Sequence, residues 1–173
     1  MTHTHLTQTR FDGFGFSDPI LRGIRDAGFE YCTPIQAQTL PLALAGHDVA
    51  GQAQTGTGKT AVFLLAVLHR LETEPAAPGR KPTQPRALIV APTRELAVQI
   101  HKDATVLAAH TGHRLALVFG GTGYEQQRRD LEAGVDILIG TPGRLIDYFK
   151  QHIFDLREVQ AVVLDEADRM FDL

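Results

Sequence analysis

Two short segments of the chain hold side chains whose types and spacing suit phosphate chemistry. Ala53–Thr60 reads AQTGTGKT and Val162–Asp168 reads VVLDEAD. In the first, Gly56 and Gly58 allow a tight turn that aims successive backbone N–H groups at phosphate oxygens, with Ala53, Gln54, Thr55 and Thr57 completing the loop. Lys59 is spaced to reach β- and γ-phosphates, and the Thr60 hydroxyl to take a place on Mg2+. Alanine stands at position 53 where the strict phosphate-loop pattern begins with glycine, a change small enough to keep the turn. In the second segment an apolar strand ends in a carboxylate, which would put Asp165 at the carboxyl edge of a sheet, where α/β proteins bind ligands. There Asp165 can hold Mg2+ through water, and neighbouring Glu166 is the natural general base for an attacking water. Each segment also has a plain structural reading, a glycine-rich turn and an acidic first helical turn respectively. Their co-occurrence points to ATP hydrolysis with Mg2+, with Lys59, Asp165 and Glu166 as catalytic candidates and Thr60 and Asp165 as metal ligands.

Positioning these groups requires a sheet. Short apolar runs predict strands at Asp48–Gln52, Ala87–Ala91, Leu115–Phe119, Asp136–Gly140 and Ala161–Leu164, with the near-continuous hydrophobicity of strands buried on both faces. Helical patterns lie between them at Gly58–Leu71, Arg94–Ala109, Tyr124–Ala133 and Pro142–Lys150, and two more precede them at Asp18–Ala27 and Pro34–Ala45. This alternation predicts an α/β fold with a doubly wound, mainly parallel sheet. Gly46 is suited to closing the second helix and Pro142 to opening its own. The proline-rich Glu72–Arg86 reads as an exposed loop within the domain.

Composition narrows the partners. With 173 residues the chain suits one sizeable core. A net charge of −3 provides no global basic field, so nucleic-acid binding must come from local groups. The lone Cys32 excludes an internal disulfide and reads as buried filler in a reducing compartment. The eight histidines show no zinc-site spacing. The N-terminus lacks the apolar core of a signal peptide, so a cytoplasmic location is expected.

Further motifs stand in order around the two phosphate segments: PTRELA at Pro92–Ala97, Gly120-Gly121, and TPGR at Thr141–Arg144. Upstream, GFEYCTPIQ occupies Gly28–Gln36, with Phe11 before it. From about Phe11 onward this arrangement resembles the DEAD-box RNA helicases, specifically their N-terminal RecA-like P-loop domain. The resemblance implies that Gln36, in a Q motif spanning 11–36, reads adenine, and that Phe11 stacks on the base; Phe14 and Phe16 are close enough to serve instead. A glutamine amide has the donor and acceptor that adenine's edge needs. The resemblance also implies RNA contacts at Pro92, Thr93, Arg94, Gly120, Gly121, Thr141, Gly143 and Arg144, directed at the sugar–phosphate backbone. Residues 1–10 would form a flexible tail, and 11–173 an incomplete domain. Its Ser-Ala-Thr strand, expected between the strands of the two phosphate segments, and a second RecA-like domain would both lie beyond Leu173. Marginal stability of the isolated chain follows as an expectation. The nearest resemblance is to bacterial members of the RNA degradosome, which implies ribonuclease E as a partner through the other half. Two functions stay open: an ATP-dependent RNA helicase of which this is one part, or a fragment that binds ATP and RNA without turnover.

Overall fold

The computed structural model describes residues 5–51 and 58–171. Four strands form one parallel sheet: β1 (Ala87–Val90), β2 (Leu115–Val118), β3 (Ile137–Gly140) and β4 (Ala161–Leu164), in the order β2-β3-β1-β4. The helices are α1 (Asp18–Asp26), α2 (Pro34–Leu44), α3 (Lys59–Thr73), α4 (Arg94–Leu107), α5 (Tyr124–Ala133), α6 (Pro142–Lys150) and α7 (Ala167–Met170), preceded by a 3-10 turn at Phe11–Phe14. The expected α/β class with a parallel sheet is therefore observed. The chain divides into two compact units, residues up to Glu74 with Val106–Gly112, and Pro75–Thr105 with His113 onward.

In the second unit the strand sequences explain the sheet. β3, ILIG, is buried at all four positions and lies between β2 and β1, as an all-apolar run requires. Ala116, Val118, Leu131, Val135, Leu138, Leu145, Tyr148, Ile153 and Phe154 form its core. Gly140 ends β3 where a larger residue has no room: a Cβ there would come 2.6 Å from Val118 Cγ2 and 2.9 Å from Leu145 Cγ.

The edge strand departs from expectation. β4 pairs only with β1 among the described residues, and Val162 and Leu164 are 58% and 57% exposed instead of buried on both faces. The strand expected at Asp48–Gln52 is not one either. Asp48–Gly51 is irregular and exposed, and Gln52 lies outside the described residues. A strand persists only with a ladder partner, and no described segment offers one to Asp48–Gly51.

The proline-rich segment also differs from an exposed loop. Its C-terminal part is strapped across the amino-terminal end of the sheet, with the Val135 N–H donating to the Pro82 carbonyl at 2.9 Å and the Arg86 N–H to Asp136 at 2.8 Å. Gln84 and Arg86 are buried; Gln84 donates to both Asp155 oxygens at 3.1 and 3.2 Å, and Arg86 donates to Gln160 at 2.8 Å. Polar side chains that satisfy one another this way can be buried at little cost, which hydropathy alone does not reveal.

In the first unit α2 packs along α3, over a core that includes Ile20, Ile24, Leu40, Leu64, Leu65 and Leu68. Gly23 on α1 lies so close to the Leu107 carbonyl that a Cβ would sit 2.8 Å from the carbonyl carbon. Cys32 is fully buried, and burial pushes its thiol up to about 11, as filler rather than nucleophile. Residues 7–10 are tied down: Thr7 N–H donates to Cys32 O and Cys32 N–H to Thr9 O, both at 2.8 Å, and Arg10 bridges to Tyr31. The first four residues lie outside the described set.

Candidate functional site

In the first unit the site residues gather at the start of α3. Gly58 is the N-cap in the left-handed region, with φ of 84°, and Lys59 and Thr60 open the helix. Seven apolar residues of α3, from Ala61 to Leu71, are buried, which fixes the helix and so the direction of its N-terminus. The first-turn N–H groups of a helix and its positive dipole end favour a phosphate. Ala53, Gln54, Thr55, Gly56 and Thr57 lie outside the described residues.

Gln36 does more than the sequence suggests. Thr33 caps α2 in a reciprocal capping box: its hydroxyl accepts from the Gln36 N–H at 3.4 Å, and Gln36 Oε1 accepts from the Thr33 N–H at 2.8 Å. Gln36 Nε2 donates to the Gly58 carbonyl at 3.2 Å. Both ends of the amide are thus engaged, and the side chain clasps α2 to the residue before Lys59. A Cβ on Gly58 would collide with that amide, so glycine is required for contact as well as for φ.

Phe11 is 2% exposed, and its ring stacks on Phe29 at 5.4 Å and 23°. Phe16 is buried with its ring near the edge of His69. Of the stacked pair, Phe29, 36% exposed, is the ring that a base could reach. The sequence reading overlooked Phe29. No sequence signal singled it out, since its pairing with Phe11 arises only on folding.

In the second unit the Asp165 N–H donates to the Val90 carbonyl at 3.0 Å, which carries the β1–β4 ladder one residue past β4. Asp165 therefore stands at the carboxyl end of the edge strand. Its Oδ1 accepts from the Glu166 N–H at 3.0 Å. Glu166 has a positive φ of 49°, a left-handed conformation costing a residue with a Cβ about 1–2 kcal/mol. Its Oε2 meets Arg169 Nη1 at 2.7 Å. Asp168 is exposed on α7.

The remaining motifs line the same carboxyl edge. Following the strand order, the loop after β2 carries Gly120 and Gly121, the start of α6 after β3 carries Thr141, Gly143 and Arg144, and the start of α4 after β1 carries Pro92, Thr93 and Arg94. Asp165 and Glu166 follow β4. Adjacent parallel strands lie about 4.8 Å apart, so these loops form a row spanning roughly 15 Å. Gly120, Gly121 and Gly143 have open space where a Cβ would point, and Gly121 has φ of 92°. Thr93 caps α4, its hydroxyl accepting from the Leu96 N–H at 3.2 Å. Arg94 is exposed with its guanidinium 4.6 Å from the Phe119 ring centroid. Pro92 is buried, so it shapes the turn and presents little to solvent.

Arg144 is half-buried and held from inside. Its Nη1 donates to Gln127 Oε1 at 3.0 Å and to the Thr122 carbonyl at 3.3 Å. The guanidinium also lies 5.1 and 5.6 Å from the Tyr124 and Tyr148 ring centroids.

The donors suit ATP–Mg2+. Among the described residues no three metal-ligating His, Cys, Asp or Glu side chains gather. Mg2+ needs no such cage, since it keeps waters and substrate phosphates and takes one or two protein oxygens. Taken separately, the Asp165 carboxylate of the second unit and the Thr60 hydroxyl of the first are each the kind of oxygen that Mg2+ takes.

Fold and motifs together define a P-loop α/β domain. Residues 33–173 match the family described as DEAD/DEAH box helicase, and the chain belongs to that family. Its parallel α/β sheet agrees with the RecA-like domain of such helicases. Among curated relatives it is similar to the ATP-dependent RNA helicase RhlB of Sodalis glossinidius, 62% identical over 173 residues that make up all of this chain and 42% of the relative. It is also similar to RhlB of Vibrio vulnificus at 57% and of Enterobacter sp. at 60%, again over the whole chain, covering 40% and 41% of those proteins. The chain thus spans about two fifths of the length of the curated relatives it matches.

Proposed function

We propose that the chain is the N-terminal RecA-like part of an ATP-dependent RNA helicase, in which ATP hydrolysis drives separation of short RNA duplexes. The observation that supports this reading is the row of loops on one sheet edge, where PTREL, Gly120-Gly121 and TPGR lie beside Asp165 and Glu166. Lys59 would neutralise phosphate charge, and Thr60 and Asp165 would hold Mg2+. When bound, the ion supplies charge neutralisation at the transferring phosphoryl group. Glu166 would orient a water and accept its proton, for which the carboxylate has a second oxygen besides the Oε2 that meets Arg169. Gln36 would exchange its Gly58 contact for adenine, while Phe29 or Phe11 faces the base. Thr93, Arg94, Gly120, Gly121, Thr141, Gly143 and Arg144 would follow the RNA backbone, with Pro92 shaping the turn. Such contacts discriminate little between bases and favour RNA over DNA through 2′-hydroxyls.

On this reading residues 11–173 form the domain, the Q motif occupies 11–36, and the protein works in the cytoplasm. Association with RNA degradosome components, ribonuclease E among them, would run through the half that this chain does not span. A second reading is a fragment that binds ATP and RNA without turnover. It is favoured by the share of the relatives' length that the chain covers, because a second domain would supply arginine fingers worth orders of magnitude in rate. RNA-stimulated ATP hydrolysis by the 173-residue chain separates the two. Turnover abolished by Lys59→Ala and Glu166→Gln supports an active enzyme. Binding of ATP and RNA with no turnover supports the fragment, and binding of neither sinks both.

A further inference from the structure

Gln127 stands in no motif identified from the sequence, yet its side chain makes three hydrogen bonds at the row of loops. It lies on α5 and is 7% exposed. Its Oε1 accepts from the Phe119 N–H at 3.0 Å and from Arg144 Nη1 at 3.0 Å. Its Nε2 donates to the Thr122 carbonyl at 3.3 Å. One amide therefore grips both ends of the Gly120–Gly121 loop and the arginine of TPGR.

The surroundings leave this amide little freedom. Gly123 caps α5 with φ of 70°, and a Cβ there would lie 3.1 Å from Gln127 Nε2. Arg144 also reaches the Thr122 carbonyl, so Gln127, Thr122 and Arg144 close a triangle of hydrogen bonds. Beneath it the fully buried Tyr148 donates to the Tyr124 carbonyl at 2.6 Å, which pins the first turn of α5 to α6. Gly120 and Gly121 have no side chains with which to fix their own path, and their Cβ positions face open space. Nothing in a Gly-Gly pair holds a shape by itself, so the shape must come from its anchors.

We propose that Gln127 is a positioning residue for RNA binding, which sets the Gly120–Gly121 loop and Arg144 as one rigid unit for a sugar–phosphate backbone. The inference rests on the RNA reading given above and adds to it a residue that need not touch RNA. Free of this grip, the glycines would have to be ordered at the moment of binding, at a cost in affinity. Arg144 would also lose the oxygen that aims it.

The test pairs two readouts on the 173-residue chain. Gln127→Met keeps the volume and removes the hydrogen bonds; Gln127→Glu keeps an acceptor for Phe119 and Arg144. Amide hydrogen exchange at Phe119 should quicken in Gln127→Met and stay slow in Gln127→Glu. Affinity for a single-stranded RNA, followed by fluorescence anisotropy, should weaken about tenfold in Gln127→Met, the equivalent of losing one net hydrogen bond. The double variant with Arg144→Ala should lose less affinity than the sum of the two single losses, because part of the Gln127 effect runs through Arg144. Fully additive losses, or wild-type RNA affinity in Gln127→Met, would overturn the proposal. Should Gln127→Met fold poorly, fast Phe119 exchange in Gln127→Glu would overturn it instead. Absence of RNA binding by the unsubstituted chain would refute the RNA reading itself, and is told apart by the Phe119 exchange result, which needs no RNA.

Discussion

Replacing Gln36 by alanine should produce two effects that a base-reading residue alone would not combine. Gln36 is 5% exposed and makes hydrogen bonds to the Thr33 N–H at 2.8 Å and the Gly58 carbonyl at 3.2 Å. Net hydrogen-bond contributions are about 0.5–1.5 kcal/mol each, so Gln36→Ala should cost about 1–3 kcal/mol with no nucleotide present. For a chain of this size that corresponds to a fall in melting temperature of about 2–12 °C. The second effect is on selectivity. A bidentate amide–adenine pair is worth about 1–3 kcal/mol of discrimination, so the preference for ATP over GTP should fall by about 5- to 150-fold. Gln36→Glu sharpens the comparison: it keeps an acceptor for Thr33 but sets a carboxylate against the Gly58 carbonyl, and should melt no higher than Gln36→Ala. Thermal melting without nucleotide and titration with both triphosphates would measure these effects. An unchanged nucleotide-free melt would refute the clasp, and equal losses for ATP and GTP would refute adenine reading.

Gly23→Ala should destabilise the chain by about 1–3 kcal/mol in urea unfolding, because its Cβ would press on the backbone carbonyl of Leu107, which has no rotamer to move aside. Asp155 provides a pH signature. The Arg157 backbone N–H, assisted by Gln84, holds its carboxyl below the usual range against the opposing effect of burial. A depressed folded-state value means that this stabilisation is present above the unfolded value of about 4 and is lost as pH falls through the folded one. Asp155→Ala should therefore lower stability at pH 7 and flatten its decline below about pH 4, as followed by urea melts across that range. A decline as steep as that of the unsubstituted chain would show that Asp155 does not contribute.

The local code was legible where apolar pattern and capping chemistry agreed. Tyr124–Ala133, Pro142–Lys150 and Ala161–Leu164 have the expected bounds, since Gly123, Thr141-Pro142 and a short apolar run each mark one state. Asp48–Gly51 misled because its pattern describes a strand while strands need partners, a non-local condition. Gln84 and Arg86 misled for a related reason: their burial depends on Asp155 and Gln160, far along the chain. The same limit applies at the site. Glycines and carboxylates announce themselves by type and spacing, whereas Gln36, Phe29 and Gln127 take their meaning from neighbours that only folding supplies. Phe11, expected from its position to stack on a base, is 2% exposed and stacked on Phe29, so its part in the site also depends on a neighbour that only folding supplies.

The sheet order also has a consequence in time. Ala87 of β1 pairs with Ala161 of β4, and its other flank pairs with Ile137 of β3. The central strand is thus made long before either neighbour. At about 5–20 residues per second on the ribosome, several seconds separate β1 from the strand that carries the DEAD carboxylates. Until β3 has been made the four apolar residues of β1 wait with both flanks uncovered, and one flank stays open until β4 follows. Asp165 takes its place only when β4 closes on β1 and its N–H reaches the Val90 carbonyl, so this carboxylate is set well after the strand that anchors it has been made.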